Sequence, residues 1–335
     1  MTPFTRLVDL AAERLGGAVP YANDEFFAPK ESLLRAAAPE WREGEYTDRG
    51  KWMDGWETRR RRTPGHDWCI VRLGLPGSIR GLCVDTSFFT GNYPESFSLQ
   101  AATLAGTPSA DILARASETW PEIVGRTALE GNARNLFEVP PTDRITHLRL
   151  NIYPDGGVAR LRVYGEVVPD WDRLVRRGGE VDLAAVENGG LVVAQSDAHY
   201  GNPQNMLQPG RSTHMGDGWE TKRRRGPGHD WCIVRLGREG TVGRIELDTD
   251  HFKGNAPASC TLEGIHAPEA SAEQLADGSA EWAPILPDSP LQPHARHAWD
   301  GEVLRHDPVT HVRINIFPDG GVARLRLFGR PVALP

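Results

Sequence analysis

The chain has 335 residues, a formal net charge of −7 and a pI near 5.9, a balance that argues against a nucleic-acid or anionic-membrane partner held by bulk electrostatics. No apolar run approaches the roughly 18 residues of a membrane span, and the N-terminus lacks a basic region followed by an apolar core. The chain is therefore expected to be soluble and unsecreted, in the cytoplasm.

In chain order, residues 4–15 carry the clearest helical signal, with a second at residues 181–187. The first region contains Val8-Asp9-Leu10-Ala11-Ala12, then Gly16-Gly17 and Asp24. It returns as Val181-Asp182-Leu183-Ala184-Ala185, Gly189-Gly190 and Asp197. Asp54 to Gly74 recurs at Asp217 to Gly237 with 19 of 21 positions identical, the differences being Arg59/Lys222 and Thr63/Gly226. Arg149 to Gly165 recurs at Arg313 to Gly329 with 13 of 17 identical. The offset slides from 173 to 163 to 164, which places about ten extra residues between Leu34 and Asp54 of the first copy. Each unit has the size of one compact domain and is too long for a solenoid repeat. The expected division is a first module at 1–169, a charged, glycine-bearing linker at 170–180, and a second module at 181–335.

Trp68 to Leu73 reads as a strand, and Phe97 to Ala101, Thr146 to Ile152 and Arg244 to Asp248 alternate with the period of half-buried strands. In Thr146 to Ile152 the alternation sends His147, Arg149 and Asn151 to one face. Between that strand and Arg160 to Val163, the glycines of Pro154-Asp155-Gly156-Gly157 suit a tight β-hairpin. Many short strands with Gly and Pro turns predict an all-β chain of two tandem jelly-roll β-sandwich modules. Cys69, Cys83, Cys232 and Cys260 lack metal-ligand spacing and are expected to be reduced core thiols.

The segment Asp54 to Asp67 is too dense in ionisable residues for an ordinary strand surface. It leads into an apolar strand, so it belongs at one end of a sandwich, where such scaffolds carry sites. His66 beside Asp67 supplies a general acid or base, and the arginines suit an anion. The composition favours guanidinium strongly, with 34 Arg against 4 Lys. Genome base composition alone accounts for that bias equally well, whereas two parallel hydrogen bonds to a carboxylate are what Arg does and Lys does not. Four consecutive arginines, Arg59 to Arg62, must lie on opposite faces or pair with acids. Asp54, Glu57, His66 and Asp67 are also metal-ligand types, but their spacing matches no specific motif; no cofactor is required and a divalent metal stays open. Turn and capping roles compete with function at every single position of the loop. Asp85-Thr86 with Gly91-Asn92, repeated as Asp248-Thr249 with Gly254-Asn255, reads at least as well as a positive-φ turn. Only His66/His229 and His147/His311 are paired between modules, while His199 and His251 replace Phe26 and Phe88; the modules are expected to differ chemically.

The duplicated DGWETRRRRxPGHDWCIVRLG, the DT…F.GN…P segment and THxRxNI[YF]PDGGVARLR resemble the allantoicase (allantoate amidinohydrolase) family over Val8 to Gly329. More distantly the DG…W…VxLG framework is similar to the discoidin or coagulation-factor type C domain, a galactose-binding-like jelly roll. The resemblance implies hydrolysis of allantoate to ureidoglycolate and urea in purine breakdown, by a homo-oligomer. On that footing Arg60 and Arg61 (Arg223 and Arg224) would hold the substrate carboxylate, and Asp54 and Glu57 (Asp217 and Glu220) would accept ureido N–H groups. His66 with Asp67 (His229 with Asp230) would move the proton that lets urea depart, either after water attack on a ureido carbonyl or by loss of urea to an imine. Two competing readings are a tandem carbohydrate- or ligand-binding module without catalysis and a hydrolase for a related ureide such as ureidoglycolate.

Overall fold

The computed structural model describes residues 4–333 and divides at Val168/Pro169 into two compact units. In the first, a 19-residue strand, Asp67–Asp85, serves both layers of a sandwich. Its first part pairs with Ile145–Tyr153 and Ala18–Ala22. Its second part pairs with Arg160–Val167 and Arg134–Glu138. Ile145–Tyr153 continues the first layer through Ser96–Ala102 to Glu122–Ala128. The second unit repeats this arrangement around Asp230–Asp248, so the chain is a pair of jelly-roll sandwiches.

Alternation explains the core. Cys69 and Val71 lie opposite Leu150 and Leu148, and all four are completely or almost completely buried. The expected polar face of the Thr146 to Ile152 strand is buried as well, with His147, Arg149 and Asn151 at 2%, 7% and 3% exposure. The helix Ala110–Ala116 and the turn after it bring Leu113 and Trp120 onto Ile70 on that side, together with Tyr21 and Trp68. A strand covered on both faces must then satisfy its polar side chains internally. All four cysteines are buried free thiols, and burial pushes that of Cys260 up to about 12.

Three local expectations change. Ile145–Tyr153 and Arg160–Val167 do not pair with each other as a hairpin. They pair with opposite parts of Asp67–Asp85, and the residues between them cross from one layer to the other. Gly157–Val158 pairs on the way with Trp56–Glu57. Gly156 takes φ +138°, as a turn glycine should, but Gly157 is needed for space, because a Cβ there would fall 1.9 Å from the Phe89 ring. The helical signals at 4–15 and 181–187 resolve into short 3-10 turns flanking Val8–Asp9 and Val181–Asp182. These residues join the strand Arg160–Val167 and its repeat through Val8↔Gly165 and Val181↔Gly329, so tertiary pairing overrides local propensity. Within the expected linker, Trp171–Arg177 forms a helix capped by Asp170, which accepts from Arg173 N.

At the layer crossing, Arg160 is 1% exposed and its Nη2 donates to Asp54 Oδ2 at 2.6 Å. Arg160→Met, which removes the buried counter-charge of Asp54 and leaves it only the more exposed Arg35, is expected to lower stability by about 3 kcal/mol, read as an earlier urea transition for the first module. Adding Asp54→Leu should recover much of that loss, since replacing both members of a buried pair is far milder than breaking it. An unshifted midpoint for Arg160→Met would exclude this role for the pair.

Candidate functional site

The two long duplicated motifs meet in space. Residues 54–67 lie along 154–160 through a run of bonds: Arg160 Nη1 to Asp54 O (3.2 Å), Thr58 N to Gly156 O (3.2 Å), Arg61 N to Asp155 Oδ2 (2.8 Å) and Asp67 N to Pro154 O (3.1 Å). Gly55 allows the approach, because a Cβ there would sit 2.7 Å from Val158 O. Asp54 is fully engaged, with Oδ1 accepting from Arg35 Nη1 (3.2 Å) and Oδ2 from Glu40 N (2.9 Å) as well as from Arg160. Burial acts to raise its pKa, but the Arg160 guanidinium, the Glu40 N–H and the charge of Arg35 together hold it below the ordinary value. Asp217 pairs in the same way with Arg324 at 2.8 Å. The acceptor expected here for a ureido N–H is thus occupied by the fold.

The consecutive arginines solve their repulsion by alternation. Arg59 pairs with Asp24 at 2.7 Å and Arg61 with Asp67 at 3.0 Å, whereas Arg60 and Arg62 are exposed and pair with none of the described carboxylates. Lys222 and Arg224 pair with Asp197 and Asp230 in the second module. Of the two arginines expected to grip an anion in each copy, Arg61 and Arg224 are held within the protein. Arg60 and Arg223 are the available ones.

Glu57 is buried and accepts from Asn92 Nδ2 at 2.7 Å; Glu220 accepts from Asn255 Nδ2 at 2.6 Å. Burial pushes the Glu57 carboxyl above its ordinary range, and the Asn92 bond partly opposes that. In the second module Glu220, Asn255 and Arg223 line one cleft of about 390 Å³, together with Tyr200, Asp319 and the Pro318 turn. The Gly-Asn dipeptide, which read at least as well as a positive-φ turn, takes no positive φ in either copy, that conformation falling on Phe88 and His251, and its asparagine donates to the carboxylate. Its signal was the repeat of Asn92 at Asn255, though a turn explained it equally well.

His66 and Asp67 do not form the expected dyad. Asp67 is 2% exposed and accepts from Arg61 and from Asn23 Nδ2 (2.9 Å). The half-buried His66 ring instead lies on Tyr153, with centroids 4.6 Å apart and Nε2 3.1 Å from Asn151 Oδ1. Asn151 Nδ2 donates to Ser98 Oγ and Gln100 Oε1, so its Oδ1 is the acceptor. His66 Nε2 then carries the proton, and the Nδ1 lone pair is the basic one. Burial lowers the His66 pKa, the Asn151 bond opposes this, and Arg149 and Arg61 lower it further. His229 repeats the arrangement against Asn315 (3.2 Å) and Phe317 (4.6 Å). It is not among the residues lining the Glu220 cleft, but Phe317 directly precedes Pro318, which is. Sequence reasoning missed Asn92, Asn151 and Arg160 as the residues that hold these groups. Among the described residues no group of three or more His, Cys, Asp or Glu side chains is arranged to hold a metal ion. No described helix is long and apolar enough to cross a membrane.

The allantoicase repeat family matches residues 8–168 and 181–332. Allantoicase of Dictyostelium discoideum is 51% identical over 95% of this chain and 86% of its own length. A probable allantoicase of Photobacterium profundum is 49% identical over 97% of each. The crystal structure of allantoicase from Saccharomyces cerevisiae aligns with a TM-score of 0.78 at 37% identity, covering 96% of this chain and 93% of that one. With both modules matched and half of all positions shared over nearly the full length, this chain belongs to the allantoicase family.

Proposed function

We propose that the protein hydrolyses allantoate to ureidoglycolate and urea, a step of purine catabolism. The observation that carries this reading, beside family membership, is the half-buried Glu220, fixed by Asn255 at a cleft that also presents the unpaired Arg223. Allantoate bears one carboxylate and two ureido groups on a single carbon. Arg60 or Arg223 takes the carboxylate, and Glu57 or Glu220 accepts a ureido N–H.

The products decide which bond breaks. Attack of water on a ureido carbonyl would split one of the two bonds between that carbonyl and nitrogen and release carbamate or ammonia, not urea. Release of urea requires cleavage of the bond between the central carbon and nitrogen. The second ureido nitrogen loses its proton and forms a C=N bond, the departing nitrogen gains a proton, and water then adds OH to the carbon and H to the nitrogen. A basic Nδ1 suits His66 and His229 to the proton movement, with the acidic group regenerated when water adds. Asp67 and Asp230 serve by holding Arg61 and Arg224.

Purified protein given allantoate in ¹⁸O-labelled water should release unlabelled urea and place the label in ureidoglycolate. Saturable sugar binding with no urea would instead favour a binding module, and turnover of ureidoglycolate alone a different ureide hydrolase.

Arg60→Ala and Arg223→Ala test the anion grip separately. Losing one charge-assisted hydrogen-bonding group, at about 1.5–3 kcal/mol, corresponds to a drop in kcat/KM of roughly ten- to a hundredfold in whichever module is active. Unchanged turnover in both variants and in their combination rules out the assignment.

Glu57 acts as a carboxylate in this scheme, so activity should fall as pH drops through its pKa, at a point above the ordinary glutamate value because burial raises it. Asn92→Ala removes the bond that lowers that pKa and should move the acid limb of kcat/KM to still higher pH. An acid limb that stays in place in Asn92→Ala would assign it to another group.

A further inference from the structure

The same arginine stands at positions 149 and 313 in two different electrostatic settings. In the second module Arg313 donates from Nε and Nη2 to Glu263 Oε2 at 2.9 and 2.6 Å. In the first module the residue facing Arg149 across the strands is Gln100, in the register that places Glu263 opposite Arg313. Arg149 therefore has only neutral partners. Nε donates to Asn151 Oδ1 and Nη1 to Ser117 Oγ, both at 3.0 Å, and the guanidinium lies 3.9 Å from the centre of the Trp68 ring. None of the described carboxylates forms an ion pair with it, and the carboxylate whose field reaches it, Glu118, is exposed. A guanidinium that is 7% exposed and lacks a counter-charge is costly to hold in a protein.

The rim of this place changes in the same direction. Ser96 pairs with Ala128 and Ser259 with Pro290, which aligns Arg126 with Asp288. Arg126 lies 4.4 Å over the Tyr153 ring and donates to Ser96 Oγ at 2.8 Å. Tyr153, whose hydroxyl is 3.0 Å from Ser98 Oγ, stands where the second module has Phe317. Glu to Gln, Asp to Arg and Phe to Tyr thus fall together on one face, and each favours negative charge or a hydrogen-bond acceptor above it.

We infer that the first module binds a small carboxylate anion on this face, with Arg149 as the floor and Arg126 and Tyr153 as the rim, and that the second module fills the equivalent site with its own Glu263. Of the two donors that Glu263 takes from Arg313, Arg149 has given Nε to Asn151, so its Nη2 is the one that meets the carboxylate. The site goes beyond the reaction proposed above, because it uses neither Glu57 nor Arg60. Its occupant would sit beside His66, since Asn151 Oδ1 accepts from both Arg149 and His66.

The test is calorimetric titration of the full chain in chloride-free buffer with glycolate, a small carboxylate that carries no ureido group, and with inorganic sulfate. The wild type should bind one glycolate per chain in preference to sulfate. Gln100→Glu, which installs the carboxylate that the second module already accommodates, should weaken this at least tenfold, and Arg126→Asp on the exposed rim should weaken it without touching the buried floor. Glu263→Gln combined with Asp288→Arg should add a second site. Arg60→Ala with Arg223→Ala should lower turnover of allantoate yet keep glycolate binding, so the site and the reaction stand or fall separately. No glycolate binding by the wild type, tighter binding of sulfate, or binding unchanged in both Gln100→Glu and Arg126→Asp would overturn the inference.

Discussion

The buried pair between Asp54 and Arg160, repeated as Asp217 and Arg324, ties the first duplicated motif to the second and so sets the geometry of everything nearby. Arg160 follows the segment that crosses from one layer to the other, and its guanidinium also donates to the carbonyl of Ala37. A buried charge tolerates few alternative arrangements, because a shift gives up the bonds that offset its desolvation. The loop from Gly55 to Asp67 is thereby laid along Pro154 to Val158 position by position. Much of the identity between the two copies of the loop is the identity of this clamp. What remains after the clamp is accounted for is a short set: Glu57 with Asn92, the unpaired Arg60, and the His66 ring.

Extended backbone explains why that set is so small. Alternate residues of the arginine run point to opposite sides, so Arg59 and Arg61 reach acids of the fold while Arg60 and Arg62 reach outward. The same rule separates His66 from Asp67. Adjacent residues in an extended chain cannot easily share one hydrogen bond between their side chains, and each finds its partner elsewhere, Asn151 for the histidine and Arg61 for the aspartate.

The strand at Trp68 to Leu73 and the sandwich class were legible because alternation is a local property of the chain. The partner of each strand was not. Pro154 to Gly157 contains the residues of a hairpin turn, and a crossing between layers asks for the same positive φ and the same small side chain. Only the distant strand Asp67–Asp85, long enough to accept one neighbour in each layer, distinguishes the two outcomes. The site was legible in the same measure. Charge density singled out the loop and put Glu57 and Arg60 among its candidates. The amide of Asn92 was hidden because Gly-Asn also suits a turn, and the burial of Arg149 was hidden because Ser117, which accepts from its guanidinium, comes from a separate stretch of chain.

Duplication places the same clamp in two modules, and that constraint leaves other surfaces free to change. The sheet face bearing Arg149 and Arg313 takes no part in the Asp54–Arg160 contact, and its side chains can alter charge without disturbing the layer crossing. The second module offsets the charge of Arg313 with Glu263 and presents Asp288, whereas the first keeps the arginine and replaces both acids. The two faces share a fold, a histidine tautomer and an asparagine that holds it, yet present opposite charge to an approaching ligand. An anion therefore meets favourable potential at the histidine of the first module and an internally satisfied arginine at that of the second. Equal loops on unequal faces give the two modules different ligand preferences without any change in the scaffold that carries them.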